Sequence, residues 1–346
     1  MISSRYQILQ IFVLMGLSFL LLVCSNPSKP DNNIPPVEEI NFMDGWPSWS
    51  PDGRYIAYMH VALDWDELQR FGSRSIWVYD RQLRRYGFLV GPGMFPRWNP
   101  DGTILAFNGG GEIFFYYMES GTVRQVTRLG REIFTFHWSG NGNYVCADAG
   151  HFWLIDSTGR IARTIRPSNG VDTGWAAGSE ANWTPSCDSI LTLGGFYENY
   201  WSIFIIDSIG NLINTVLTRE LYSEAISDLA WSPRRNRFAA NYQVEINARI
   251  YNDLRLYRMD GSLERIISEQ AGMADWSPDG RRIVYQKYTW MGDNPDPNSI
   301  DYSRVTIWES DPHGWTKHEL MGWPQQGYDS TMFGGGYNWV TDTHGP

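Results

Sequence analysis

One motif recurs six times along this 346-residue chain, and no other feature restricts the possible folds as tightly. The first copy reads Trp46-Pro-Ser-Trp-Ser-Pro-Asp-Gly-Arg-Tyr-Ile-Ala-Tyr58 and the second Phe95-Pro-Arg-Trp-Asn-Pro-Asp-Gly-Thr-Ile-Leu-Ala-Phe107. The sixth, from Ala274 to Tyr285, is nearly as complete, whereas the third has lost the proline, the fourth the glycine, and the fifth keeps only Trp-Ser-Pro. Aligned on their tryptophans, the copies place Trp49, Trp98, Trp138, Trp183, Trp231 and Trp276 at spacings of 49, 40, 45, 48 and 45 residues. A period near 45 built from short strands is that of a β-propeller, one blade per repeat.

The chemistry of the unit explains its pattern. In Ser-Pro-Asp-Gly the proline presets one turn dihedral, the aspartate bonds nearby backbone, and the glycine takes the left-handed angle that starts the next strand. A strand ending in Trp leads into the turn, and an apolar strand such as Tyr55–Tyr58 leaves it. A third strand follows in every copy: 76–80, 113–117, 152–156, 203–207, 254–257 and 305–308. A second compact turn, as in Asp156-Ser-Thr-Gly159, leads to a more polar fourth strand such as Arg124–Arg128. An aromatic content of 15% broken by 34 Gly and 18 Pro agrees with many short strands. The six aligned tryptophans, with Trp77, Trp153, Trp201 and Trp308, are expected to pack between blades, where large rings bury the most area.

The repeated W-[SN]-P-D-G-x-x-[IL]-A-[FY] core resembles the TolB-type propeller repeat, which also occurs in the propeller of prolyl-oligopeptidase-like peptidases. The resemblance covers residues 37–325 and implies an all-β fold, a six-bladed β-propeller of four-stranded antiparallel blades. Val37–Phe42 lies where a fourth strand would precede the first Trp unit, and is expected to latch onto the last blade and close the ring. Gly336–Val340 resembles the start of a seventh copy. Seven blades is therefore the alternative, with residues 326–346 otherwise a tail packed on the propeller.

The N-terminus reads as an address. One basic residue, Arg5, precedes an apolar run from Ile8 to Val23, about 16 residues against the roughly 20 needed to span a bilayer core. The ending Leu21-Leu22-Val23-Cys24 resembles the bacterial lipoprotein signal, which implies that residues 1–23 are removed and that Cys24 carries the lipid. Val23 departs from the small residue usual before that cysteine, so an uncleaved anchor and plain secretion stay open. Residues 24–36, rich in Ser, Asn and Pro, form an extended tether. Ser25 is not the aspartate that favours inner-membrane retention in lipoproteins, so the resemblance implies the periplasmic side of an outer membrane.

Lys and Arg number 28 against 38 Asp and Glu, a net charge of −10, which argues against nucleic-acid binding. No G-x-S-x-G elbow, metal-ligand spacing, phosphate loop or dinucleotide fingerprint is present. No catalytic residue, cofactor or metal is therefore expected, and the chain is expected to be a monomer. Cys146 and Cys187 lie in a strand and in a turn, an unfavourable geometry for a disulfide. His137 and His151 read as core or rim histidines.

The long segments all fall in second-to-third or inter-blade connections, on one face of the disc. They carry Asp64, Trp65 and Asp66, then Trp175, Tyr197 and Tyr200, and finally Trp290, Asp293 and Asp296. Loops on a rigid scaffold with aromatic anchors are the natural contact surface. The TolB resemblance implies envelope work, since TolB partners a peptidoglycan-associated lipoprotein. The reading is a noncatalytic, lipid-anchored envelope protein that binds a protein partner or envelope component through this face. The alternative is a carbohydrate-binding or carbohydrate-active propeller, with loop aromatics stacking on sugars and loop carboxylates acting as acid and base. A pocket with two carboxylates about 5–10 Å apart beside an exposed Trp would favour the second; a flat aromatic rim favours the first.

Overall fold

A computed structural model describes residues 42–62, 74–130, 133, 135–148, 152–165, 181–184, 188–194, 200–220, 224–234, 236–246, 249–290 and 303–321. The first blade comprises β1 (Phe42–Trp49), β2 (Tyr55–Ala62), β3 (Arg74–Asp80) and β4 (Arg85–Val90), and the second β5 (Met94–Trp98), β6 (Ile104–Gly109), β7 (Glu112–Tyr117) and β8 (Thr122–Gln125). The third holds β9 (Thr135–Trp138), β10 (Tyr144–Asp148), β11 (Phe152–Asp156) and β12 (Ile161–Ile165), and the fourth β13 (Ala181–Trp183), β14 (Ser189–Gly194), β15 (Tyr200–Asp207) and β16 (Leu212–Glu220). The fifth holds β17 (Glu224–Trp231), β18 (Arg237–Ile246), β19 (Arg249–Arg258) and β20 (Leu263–Glu269), and the sixth β21 (Ala271–Trp276), β22 (Ile283–Trp290), β23 (Ser303–Ser310) and β24 (Lys317–Met321). Each blade is one antiparallel sheet of four sequence-consecutive strands, so the chain is an all-β, six-bladed propeller. The first strands of successive blades touch in order, and β21 returns to β1, which puts them round the central axis.

Each aligned tryptophan packs back onto the blade before it. Trp98 shares a buried cluster with Ile76 and Val78, Trp183 with Phe152 and Leu154, and Trp276 with Leu254 and Leu256. Trp138 lies 5.0 Å from the Phe115 ring, and Trp231 packs on the cluster containing Leu191 and Ile203. Trp49 joins Val284 and Ile307 of the sixth blade, so the same contact closes the ring. Two indoles also donate Nε1–H to the carbonyl just before the preceding tryptophan, Trp138 to Arg97 O at 3.1 Å and Trp276 to Ala230 O at 3.0 Å.

The outer position at which the latch was expected is filled by another strand. The sixth blade has its own outer strand, β24, and Phe42 begins β1, where it pairs with Ala62; residues 37–41 lie outside the described residues, as do 326–346. Side chains make the junction instead. The buried Glu309 meets Arg81 of the first blade at 2.7 Å and Arg282 at 2.5 Å, and the Arg81 guanidinium lies 4.6 Å over the Trp49 ring. A buried carboxylate is retained only when cations and donors offset its desolvation.

The tight turns follow their sequence chemistry. Ser50 Oγ donates to Asp52 Oδ1 at 2.6 Å and accepts from Tyr55 N at 2.8 Å, while Gly53 sits at φ +71°. The third blade repeats this with Ser139, Asn141 and Gly142 although its proline is missing. Backbone and side-chain hydrogen bonds from Arg281 and Ser277 hold the Asp279 carboxyl below the usual range.

Glycines of the third-to-fourth turns have a second role. A Cβ on Gly261, already at φ +79°, would overlap the Val216 carbonyl of the preceding blade, and one on Gly159 would overlap that of Val126. Gly280 is also left-handed, at φ +66°, but its Cβ would meet only ordinary contacts. Gly280→Ala should therefore cost about 1 kcal/mol from backbone strain alone. Gly261→Ala should cost about 3 kcal/mol, because overlap adds to the strain. Urea unfolding midpoints of the two variants measure the difference.

Candidate functional site

Consecutive antiparallel strands put the second-to-third and inter-blade connections on one face of the disc, opposite the tight turns. Of the residues singled out on that face, Asp64, Trp65, Asp66, Trp175, Tyr197, Asp293 and Asp296 lie outside the described residues. Tyr200 and Trp290 are placed by backbone. Both prove to be strand rather than loop: Tyr200 opens β15 opposite Glu220, and Trp290 ends β22 opposite Ser303. The sixth-blade ladder runs further than the polar composition of 286–303 implied, since cross-strand pairing continues to Trp290 and Ser303. Both residues mark the long-connection face, in the fourth and sixth blades.

What the described residues do assemble is the wall of the axial channel. Four of the six first strands carry a β-bulge, and in each the residue three before the tryptophan is left-handed: Trp46 (φ 50°), Phe95 (φ 56°), Asp228 (φ 53°) and Met273 (φ 50°). Non-glycine residues in this region store strain, which clusters where structure serves a site. A bulge also leaves backbone N–H groups without ladder partners. Neighbouring blades supply acceptors: Gln286 Oε1 takes Trp46 N–H at 3.3 Å, and Asp228 Oδ2 takes Ala274 N–H at 2.6 Å. Gln286 reaches β1 only because Gly45 leaves room, since a Cβ there would overlap its amide.

Three of the four bulged residues are apolar and lie on the long-connection side, with the buried acid Asp228 at the same register in the fifth blade. Trp46 and Phe95 are half-buried, with ring centroids 5.2 Å apart, and Met273 is half-buried at the same register. Two residues nearer the tight turns comes a polar tier, the residue before each tryptophan: Ser48, Arg97, His137, Asn182, Ala230 and Asp275. Arg97, His137 and Asp275 stay half-buried although they sit on the innermost strands.

Electrostatics link these groups across the axis. Burial, reinforced by the Arg97 charge, pushes the His137 imidazole well below the usual histidine range. Burial raises the Asp275 carboxyl, against the opposing pull of Arg97 and of hydrogen bonds from Trp49 N, Trp276 N and Ser48. Arg97 belongs to the second blade and Asp275 to the sixth, which are not neighbours, so this interaction runs through the channel. Asp275 is also a fastener between blades, accepting Trp49 N–H at 2.7 Å on Oδ2 and Trp276 N–H at 2.9 Å on Oδ1.

Sequence reasoning missed this tier, and read His137 as a core or rim residue. The signal was the contrast between a repeated tryptophan and the position before it, which holds Ser, Arg, His, Asn, Ala and Asp in turn. Among the described residues no three His, Cys, Asp or Glu side chains converge to hold a metal, and no helix is long and apolar enough to cross a membrane. Cys146 is buried in β10, whereas Cys187 lies outside the described residues.

Two outcomes follow for the polar tier. Asp275→Ala should lower stability by about 2 kcal/mol, because the Trp49 N–H loses its acceptor. A histidine whose folded pKa is depressed stabilises fully above its unfolded pKa and loses that contribution as pH falls below about 6.5. His137→Gln should therefore flatten the loss of stability between about pH 7 and pH 5, read from urea midpoints across that range.

No protein-family model matches the sequence, and no curated protein matches it. Solved structures match the fold. Hydrazine synthase from Kuenenia stuttgartiensis aligns at 13% identity and TM-score 0.52, over 82% of this chain and 80% of that one. A protein described as TolB from Agrobacterium tumefaciens aligns at 18% identity and TM-score 0.54, over 71% of this chain and 88% of that one. Acylaminoacyl peptidase from Pyrococcus horikoshii aligns at 14% identity and TM-score 0.51, over 82% of this chain but 52% of the peptidase. At such identities likeness carries the architecture and not the activity, and the chain is a six-bladed β-propeller that shares its fold with these structures.

Proposed function

We propose that this chain is a noncatalytic cell-envelope protein, tethered through a lipid on Cys24, whose propeller binds a protein partner on the long-connection face around the channel mouth. The observation that carries the reading is the half-buried pair Trp46 and Phe95, held on strained bulges at that mouth. Rigid aromatic anchors on a fixed scaffold are what interfaces use for affinity, since they add contact area at little entropic cost. The backbone of Tyr200 and Trp290 reaches the same face at strand ends. The fold shared with TolB supports a binding role in general terms. The carbohydrate reading depends on the loop carboxylates Asp293 and Asp296, and no described feature favours it.

Crosslinking in the native envelope followed by mass spectrometry tests the face. Trp65→Ala/Trp290→Ala should weaken partner binding by about 2 kcal/mol or more, seen as loss of the wild-type crosslinks with the circular dichroism spectrum unchanged. The same crosslinks from the folded double variant would overturn the choice of face. For the tether, Cys24→Ser should abolish palmitate incorporation and move the protein from the membrane to the soluble fraction. Retention in the membrane without label would instead establish a hydrophobic anchor.

A further inference from the structure

We propose that the axial channel is a binding site for a carboxylate ligand with an apolar body, the carboxylate held at Arg97 and His137 and the body against Trp46, Phe95 and Met273. The site shares Trp46 and Phe95 with the docking face but none of its loop residues, so a Trp65→Ala/Trp290→Ala variant that loses its crosslinks yet keeps the ligand separates the two readings.

The first argument is an unmatched charge. The chain carries ten more acidic than basic residues, yet among the described residues no carboxylate lies within ion-pair distance of the Arg97 guanidinium. Its one hydrogen bond runs from Nη1 to Pro96 O at 3.2 Å. Asp275, the nearest acid by electrostatic influence, already has both oxygens taken by backbone N–H groups. A half-buried guanidinium on an innermost strand, with low-dielectric walls around it, concentrates its field on anything that approaches. Its planar fork matches a carboxylate in bidentate geometry.

The second argument is a waiting polar atom. His137 Nε2 is buried without a hydrogen-bond partner, and buried polar groups left unsatisfied in a native structure call for an explanation. His137 occupies the position next to Arg97 in the ring, and the Trp138 indole ties the two strands together through Arg97 O. With the Nε2 tautomer protonated, the imidazole donates to a carboxylate that Arg97 holds. Arg97 is the one guanidinium of the tier and Asp275 shares it, so the tier suits a monoanion rather than a phosphate dianion.

The third argument is the tier above. Trp46, Phe95 and Met273 offer apolar surface just on the long-connection side of the charge. A ligand entering from that face therefore meets apolar wall first and cation last. Carboxylates with an apolar body come from two sources, a free organic acid or the C-terminal residue of a peptide, and both present the same chemistry here.

Isothermal titration with 3-phenylpropionate and 3-phenylpropionamide tests the site, alongside a pentapeptide ending in Phe with a free or amidated C-terminus. The acid should bind about tenfold or more tightly than the amide and quench tryptophan fluorescence. Arg97→Gln should weaken the acid about tenfold while leaving the amide unchanged, and Trp46→Ala should weaken both. Tighter binding of the free peptide than of the small acid identifies a partner's C-terminus as the source; equal binding identifies a small molecule. Acid and amide binding alike, or neither binding, overturns the proposal. So does an Arg97→Gln variant that loses stability but binds the acid as wild type does, since Arg97 would then serve only to balance Asp275. Should Arg97→Gln not fold, the wild-type comparison of acid with amide and the His137→Gln titration still decide.

Discussion

The wedge of an indole ring against the preceding blade is the contact on which the molecule depends. A four-stranded sheet has two faces to cover, and a propeller covers them only when every blade leans on the next. One tryptophan at a fixed place in each repeat supplies that contact six times, including the return from the sixth blade to the first through Trp49. Where the indole also reaches the carbonyl beside the preceding tryptophan, as Trp138 and Trp276 do, the wedge acquires a direction and sets how far one blade turns from the next.

The return junction shows what packing alone leaves undone. Many ring folds close by sharing a blade between the two chain ends; here the sixth blade is complete by itself. Closure falls to Glu309 with Arg81 and Arg282, to Asp275 on the Trp49 amide, and to Gln286 on Trp46. These are charged or polar contacts within or beside an apolar seam. They fix register where a purely apolar seam would tolerate sliding.

How much of this the sequence displayed varies with the physics involved. Blade count, strand order and the role of the tryptophans were legible because each rests on a period and on turn chemistry repeated six times. Closure differs from expectation in what is described: Val37–Phe42 has the pattern of an outer strand, but a strand pattern does not say which sheet it joins, and Phe42 opens β1 while β24 fills that edge. The channel was invisible for a related reason. Arg97, His137 and Asp275 are far apart in the chain, and only the circular arrangement of the first strands makes neighbours of them. The local composition around Tyr200 and Trp290 reads as loop, whereas ladder length is decided by the pairing partner.

The bulges at Trp46, Phe95, Asp228 and Met273 have one more consequence. Two residues on the inner strand face one on its partner, as Trp46 and Pro47 do opposite Tyr58. Inserting one residue reverses the in-and-out alternation of a strand. The upper half of each such strand is therefore out of phase with the half that bears the tryptophan. The rim can change its chemistry without disturbing the ordering of the hub, and a family built on this plan is free to diversify what it grips while keeping how it is held together.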